Sequence, residues 1–385
     1  MANHSTSYKL PLSIIAIIAL SILCLFIALI TLFSVHRDIF ITILVIFYIS
    51  LVLFFILWNI VYTRKIFLLL IIPVLCIIST VIVITHNNYV QNLPTVGDQA
   101  YIHRYLPFND NNHLVSLDTP ANYQITNNFP ILDGATALYP VYASFVQAVY
   151  PKDDFRANYK LLLCNRTDGA YDNLLDATVD IIFCAGPSSA QLNQFTEKGL
   201  NIRLVPIGKE AFVFFVNIRN PVSNLTIENI QGIYSGRITN WRELNGRNQR
   251  IRAFQRPENS GSQTMLQKIM ANVPIMSPRT ELVPGMAEIL EMVATYRNFE
   301  DSIGYSFLFF TTAMVRNDQI KLLSVNGIFP SIESIQNNSY PFSDTFYAIY
   351  IDDEAKNENI EAFIEWILSE QGQNLIQRTG YVPIN

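Results

Sequence analysis

Histidine is scarce in this chain of 385 residues. His4, His36, His86, His103 and His113 are scattered, with no HExxH pattern and no Cys/His spacing that would hold zinc, so the sequence implies no metal. Cysteine is almost as rare. Of the four, Cys24 and Cys76 lie within long apolar runs, and Leu23 stands where lipoprotein processing at Cys24 would want a small residue. The chain has no GxSxG turn, no GxxxxGKS/T phosphate loop and no histidine beside the motifs described below to serve as a base. Hydrolase or transferase chemistry therefore has little support, and no cofactor is implied. Basic charge is short as well: beyond residue 100 there are 22 Lys and Arg against 29 Asp and Glu, a net charge of −7. Nucleic acid is an unsuitable partner for such a domain, because that binding draws on many Lys and Arg contacts to phosphates.

What the sequence has in excess is apolar residues, at half of the total and a mean hydropathy of +0.25. Three runs, 10–33, 39–62 and 66–85, contain no Lys, Arg, Asp or Glu. At 1.5 Å per residue they measure roughly 30 to 36 Å, enough to cross a hydrocarbon core of about 30 Å. Lys9 precedes the first run and Arg64-Lys65 separate the second from the third, while Arg37 sits beside Asp38 in the other short loop. The positive-inside rule then puts the N-terminus in the cytoplasm, and three spans leave everything after Thr85 outside the cell. The expectation is a multi-pass cell-membrane protein, in contact with lipid over residues 1–85. Residues 86–126, rich in Asn, Pro and Asp, form an extracellular linker and lead-in. Within it, 101–108 is aromatic enough to pack onto the folded domain.

From Phe129 onward short apolar runs alternate with helical patterns. Strands are expected at 161–164 and 180–184, and helices at 138–150 and 171–177, a rhythm that predicts a parallel α/β sheet. Two further strands, 202–207 and 211–217, lead to a second unit with elements at 226–235, 251–254, 260–270, 287–295 and 303–307. A strand at 346–351 and one amphipathic helix over 360–378 close the chain.

The most informative stretch runs from Phe254 to Thr264. It predicts a strand end, a tight loop and a helix start, with Ser260 as N-cap and Gly261 allowing close approach to the backbone. The first-turn amides of such a helix have no partners of their own and suit an oxyanion, to which Arg256 would add a two-pronged charged donor. Gly134-Ala135-Thr136 and Thr167-Asp168-Gly169 offer two more strand-to-helix turns of this kind. Ligands of open α/β sheets bind beyond strand carboxyl ends, where helix N-termini favour negative charge. Three such turns together would make an oxyanion cage even in an acidic domain.

These stretches resemble the phosphate-binding proteins of bacterial ABC transporters, which have type II periplasmic-binding folds. The likeness covers roughly 129–385: Gly134-Ala135-Thr136 with Pro140-Val141-Tyr142-Ala143, Asn217 with Asn220-Pro221-Val222, Ile233-Tyr234-Ser235-Gly236-Arg237-Ile238-Thr239-Asn240-Trp241, the 256–262 loop, and Gln371-Gly372-Gln373 with Gly380-Tyr381-Val382-Pro383. After the three membrane helices read from the apolar runs, the resemblance implies an α/β domain of two lobes, 127–208 plus 345–385 and 209–344, with the anion in the cleft between them. It implies phosphate ligands at Thr136, Ala137, Thr167, Arg256, Ser260, Gly261 and Ser262, with Glu258 placed to hold the fork of Arg256. The family has an aspartate where this chain has Ala185, which removes the basis for rejecting sulfate unless Asp168 or Asp133, otherwise ordinary turn residues, accepts the phosphate proton instead. In that strand order the strand ending near Leu132 lies between those of Cys164 and Cys184, roughly 9 to 10 Å apart at the usual spacing, so two buried thiols are expected rather than a disulfide.

The function so implied is binding of inorganic phosphate or a related oxyanion and delivery to an ABC permease, without covalent chemistry. A second reading is a membrane sensor that reports its bound state through the three spans, since three are more than tethering requires.

Overall fold

The computed structural model describes residue 48 and residues 101–384, apart from 279–282, 284, 294–299 and 354–355. The chain divides into two units, Met1–Pro94 and Thr95–Asn385. The three expected spans belong to the first and lie outside the described residues. Among the described residues no helix is long and apolar enough to cross a membrane.

Ten strands are described in the second unit: β1 (Leu132–Gly134), β2 (Ile181–Ala185), β3 (Ile202–Asn217), β4 (Asn224–Leu225), β5 (Arg252–Ala253), β6 (Ser302–Phe307), β7 (Ile320–Leu322), β8 (Ser324–Val325), β9 (Ser343–Ile351) and β10 (Val382–Pro383). The main sheet runs β1-β2-β9-β3-β6-β5. The long β3 belongs to both of its halves. Ile202 to Ala211 pairs with β9, and Phe212 to Val216 pairs with β6. The second stretch, an uninterrupted apolar run from Ala211 to Val216, is buried, as a strand covered on both faces must be. The sequence predicts two separate strands at 202–207 and 211–217, because Gly208, Lys209 and Glu210 break the apolar pattern. The backbone continues through them with one register shift between Pro206 and Gly208. A Cβ at Gly208 would lie 2.4 Å from the Phe346 ring, so the shift falls where the absence of a side chain leaves room for that ring.

Each half has its own core. Tyr142, Phe145, Phe183, Phe363 and Trp366 fill the first, with Tyr142 stacked on Phe183 at 5.1 Å; Phe212, Phe214, Tyr234, Trp241 and Tyr305 fill the second. The lead-in packs as expected, since Ile102 and Tyr105 are buried in the first core and Phe108 lies against Phe155.

Three expectations need correction. The sheet is mixed rather than parallel: β1 with β2 and β5 with β6 are parallel, but β9 is antiparallel to β2 and to β3. β3 and β9 carry the chain between the halves rather than across a covering helix, and so enter the sheet in the opposite sense. Residues 161–164 supply only a bridge from Leu162 to Leu132, because Tyr159–Leu161 forms a 3-10 turn capped by the Asn158 side chain. The helix expected over 360–378 is two, Ile360–Leu368 and Glu370–Thr379. Ser369 makes the break with its hydroxyl donating to the Trp366 carbonyl at 2.6 Å, and a Cβ at Gly372 would sit 2.3 Å from the Ile367 carbonyl.

Glu210 lies on β3 beside the change of partners, and its Oε1 accepts from the Phe309 amide at 2.7 Å. Burial pushes its carboxyl up to about 8 from an ordinary 4.5. Between those two values the folded chain holds a proton that the unfolded chain has released, so stability falls as pH rises through this window. Melting temperature measured from pH 5 to 8.5 is expected to decline less steeply in Glu210→Gln, and an unchanged slope would remove Glu210 as the source.

Candidate functional site

Three turns meet in the cleft. β1 ends at Gly134, where a Cβ would lie 2.5 Å from the Phe183 carbonyl, and Thr136–Leu138 then winds as a 3-10 turn into α1 (Tyr139–Val149). The Tyr381 hydroxyl donates to the Ala137 carbonyl, so the tail of the chain fixes that turn from behind. The second turn enters α2 (Arg166–Leu175) through Arg166 at φ 61°, and the third enters α3 (Gly261–Met270) through Asn259 at φ 63°. Neither residue is a glycine, and left-handed backbone at such positions is held by its surroundings.

Asp133 supplies that hold on the second turn. Its buried carboxylate accepts from the amides of Gly134 and Asn165 at 2.7 and 2.8 Å, and from the side-chain amides of Asn165 and Asn173 at 2.9 and 2.8 Å. At the third turn Ser260 is the N-cap, its hydroxyl accepting from the Gln263 amide at 3.4 Å. Arg256 is buried behind it. Its amide donates to Gln263 and to the Tyr305 hydroxyl, its Nη1 to Ser262 Oγ at 3.0 Å and its Nε to the Val283 carbonyl at 3.4 Å. Burial holds the Tyr305 phenol well above its ordinary range, so it stays neutral, and its hydroxyl also bonds Gln263 Oε1.

Thr136, Ala137, Thr167, Arg256, Ser260, Gly261 and Ser262 all line one cavity between the halves, with about 300 Å³ of atom-free space. Its chemistry is that of an anion site: two helix N-termini, hydroxyls and two arginines converge, and no Asp or Glu is among the lining residues. The halves already touch here. A Cβ on Gly261 would lie 2.7 Å from Thr167 Oγ1, and Ser188 Oγ donates to Asn259 Oδ1 at 2.8 Å.

Arg166, which the sequence motifs leave out, also lines the cavity. The signal available was its place just before Thr167, but a helix start at 171 put it outside the turn. Glu258 does not serve as expected: it is exposed and accepts from Gln267 Nε2 at 2.6 Å, while the Arg256 fork meets Ser262 and Val283. Asp168 lies 3.8 Å from the Arg166 guanidinium with its side chain 43% exposed, and Asp133 has its oxygens engaged, so neither takes the place of the missing aspartate. Ala185 ends β2 with its carbonyl accepting from the Tyr171 hydroxyl. Both cysteines of this unit are free, and Leu132 lies between their strands, bridged to Leu162 on one side and paired with Ile181 on the other. Burial pushes the Cys164 thiol up to about 12 and holds the Cys184 thiol well above its ordinary range, which leaves both unreactive.

A two-lobed α/β domain with a cavity between its lobes is the architecture of a periplasmic-binding-protein fold. The chain belongs to the PBP superfamily, whose domain model matches residues 131–371. Among curated proteins it is similar to the phosphate-binding protein PstS of Borreliella burgdorferi, 25% identical over 183 residues that cover 46% of this chain and 63% of that one. It is likewise 24% identical to the PstS of Pseudomonas aeruginosa over 214 residues, 50% of this chain and 64% of that one. The chain thus spans just under two thirds of these relatives. The fold is shared with an ABC-type phosphate transport receptor from Vibrio cholerae, at a TM-score of 0.51, 20% identity, and coverage of 66% of this chain and 99% of that one. It is shared also with a Clostridium perfringens structure with bound phosphate, provisionally assigned as a phosphate ABC transporter substrate-binding protein, at a TM-score of 0.54, 22% identity, and 69% and 100% coverage.

Removing the Asp133 carboxylate leaves buried donors unpaired at the turn that carries Arg166 and Thr167. Asp133→Ala is expected to lower stability by about 3 kcal/mol in urea unfolding. A loss below about 1 kcal/mol would show that the turn holds its shape without it.

Proposed function

We propose that this domain binds a tetrahedral oxyanion, inorganic phosphate or a close relative, in the interlobe cavity and delivers it to an ABC permease. The observation that carries the reading is the meeting of all seven expected ligand residues on one cavity free of carboxylates. Arg256, with Arg166 on the opposite wall, supplies the formal charge. The first-turn amides of α3, which have no carbonyl to bond within the helix, and the hydroxyls of Thr136, Thr167, Ser260 and Ser262 supply oriented donors. The phosphate-binding relatives and the phosphate-bound Clostridium perfringens structure support the choice of ligand class. The permease follows from the transport role named for the Vibrio cholerae receptor.

In this reading 127–208 with 345–385 and 209–344 are the two lobes that close on the anion by a hinge motion. The apolar runs 10–33, 39–62 and 66–85 are membrane spans that keep the N-terminus cytoplasmic and tether the binding domain outside the cell; their hydropathy supports this.

The full chain, titrated with phosphate, is expected to gain about 2.7 kcal/mol of stability at a hundredfold excess over Kd. Arg256→Ala is expected to weaken phosphate by roughly 30- to 100-fold, the worth of a charge-assisted hydrogen-bond pair. An unchanged affinity would remove Arg256 from the site. With no carboxylate to pair the proton of hydrogen phosphate, sulfate is expected to bind within about tenfold of phosphate. Rejection of sulfate by a hundredfold or more would require an acceptor that the cavity walls do not show.

A further inference from the structure

Beyond the anion cavity the interlobe space continues into a recess with about 510 Å³ of atom-free space. The two share walls at Ala135, Ala137, Thr167, Gly261 and Phe307, so they form one continuous site with two unlike ends. Arginine, serine and threonine crowd the first. The second is walled largely by Leu138, Ala185, Met265 and Phe346, with a few polar groups set among them.

Those polar groups are ordered along α3. Gly261, Thr264 and Lys268 stand at i, i+3 and i+7, on one face of the helix, and all three line the recess. Thr264 is 7% exposed, and its Oγ1 has no hydrogen-bond partner. A buried hydroxyl left unpaired is costly, so a ligand group that pairs with it is favoured. Lys268, two turns from the N-terminus, is held at 3.0 Å by Asp344, which lines the same recess. Glu210 is there too, buried, with one oxygen on the Phe309 amide. A bare tetrahedral anion in the first cavity would meet neither Thr264, Lys268 nor Glu210, none of which lines it.

Resting on the oxyanion reading above, we infer that the ligand is a phosphate monoester with a short hydroxylated chain, of the size of glycerol phosphate. Its phosphoryl group occupies the anion cavity, and its hydroxyls pair with Thr264 and Glu210. The dimensions agree: three residues of helix advance about 4.5 Å, a distance that a two- or three-carbon chain spans. The chemistry agrees as well. Glu210, pushed up to about 8 by burial, keeps its proton at neutral pH and can both donate to and accept from a hydroxyl, and the apolar walls suit the carbon chain.

The test is calorimetric titration of the full chain with inorganic phosphate, sn-glycerol 3-phosphate and n-propyl phosphate. Glycerol phosphate is expected to bind at least tenfold more tightly than the other two. Thr264→Val, which keeps the side-chain shape and lies outside the anion cavity, is expected to weaken glycerol phosphate about tenfold and inorganic phosphate less than threefold. The wild-type ranking decides the matter even if the variant fails to fold. Inorganic phosphate binding as tightly as the ester would overturn the inference and leave the oxyanion reading standing. Propyl phosphate matching glycerol phosphate would overturn the pairing with Thr264 and Glu210, as would an equal loss for both ligands in the variant. Failure of all three ligands to bind would bring down the oxyanion reading and this inference with it.

Discussion

One strand is asked to belong to two sheets, and the rest of the domain follows from that. β3 pairs with β9 through Ala211 and with β6 from Phe212, so neither half can complete its sheet without the other's backbone. The return path is bound to it at the same place: the Phe212 amide donates to the Phe342 carbonyl, and the Tyr340 hydroxyl donates to the Phe212 carbonyl. Two segments lying side by side and hydrogen-bonded make a joint that bends more readily than it separates. The cleft opens beside that joint, which is why turns from distant parts of the sequence reach one cavity without any of them being long.

The cavity holds its positive character economically. The protein is acidic overall, yet an anion there meets arginine, hydroxyls and helix N-termini, whose donors are fixed by the backbone. Fixed donors need fixed turns. Asp133 performs this for the Arg166 turn with three hydrogen bonds, from Asn165 and Asn173, and the Tyr305–Gln263–Arg256 contacts do the same for the third turn. The carboxylate nearest in sequence to Thr136 therefore faces the scaffold, where it positions donors.

Local chemistry was legible in the sequence, and long-range pairing was not. The Ser260 cap and the cluster of seven residues could be read because each depends on a turn of a few residues or on a spaced motif. The direction of β9 could not be, because nothing in an apolar run records whether the chain arrives from a covering helix or from another lobe. At 161–164 four apolar residues promised a strand, but Asn158 capped a 3-10 turn that used the first of them, leaving a single bridge. The family resemblance puts Glu258 on the fork of Arg256; two residues past that arginine the chain has turned outward, and Glu258 accepts from Gln267 on α3 instead. Arg166 escaped notice because a left-handed residue opening a helix has no sequence signature unless it is glycine or asparagine.

At the contact of Thr167 with Gly261 the difference between a hydrogen and a methyl group sets how far the lobes can approach. The donors on either side lose most of their strength over an ångström of extra separation, so a methyl there would act as a wedge in a latch. The residence time of whatever is bound thus depends on the bulk of a residue that offers the ligand only its backbone.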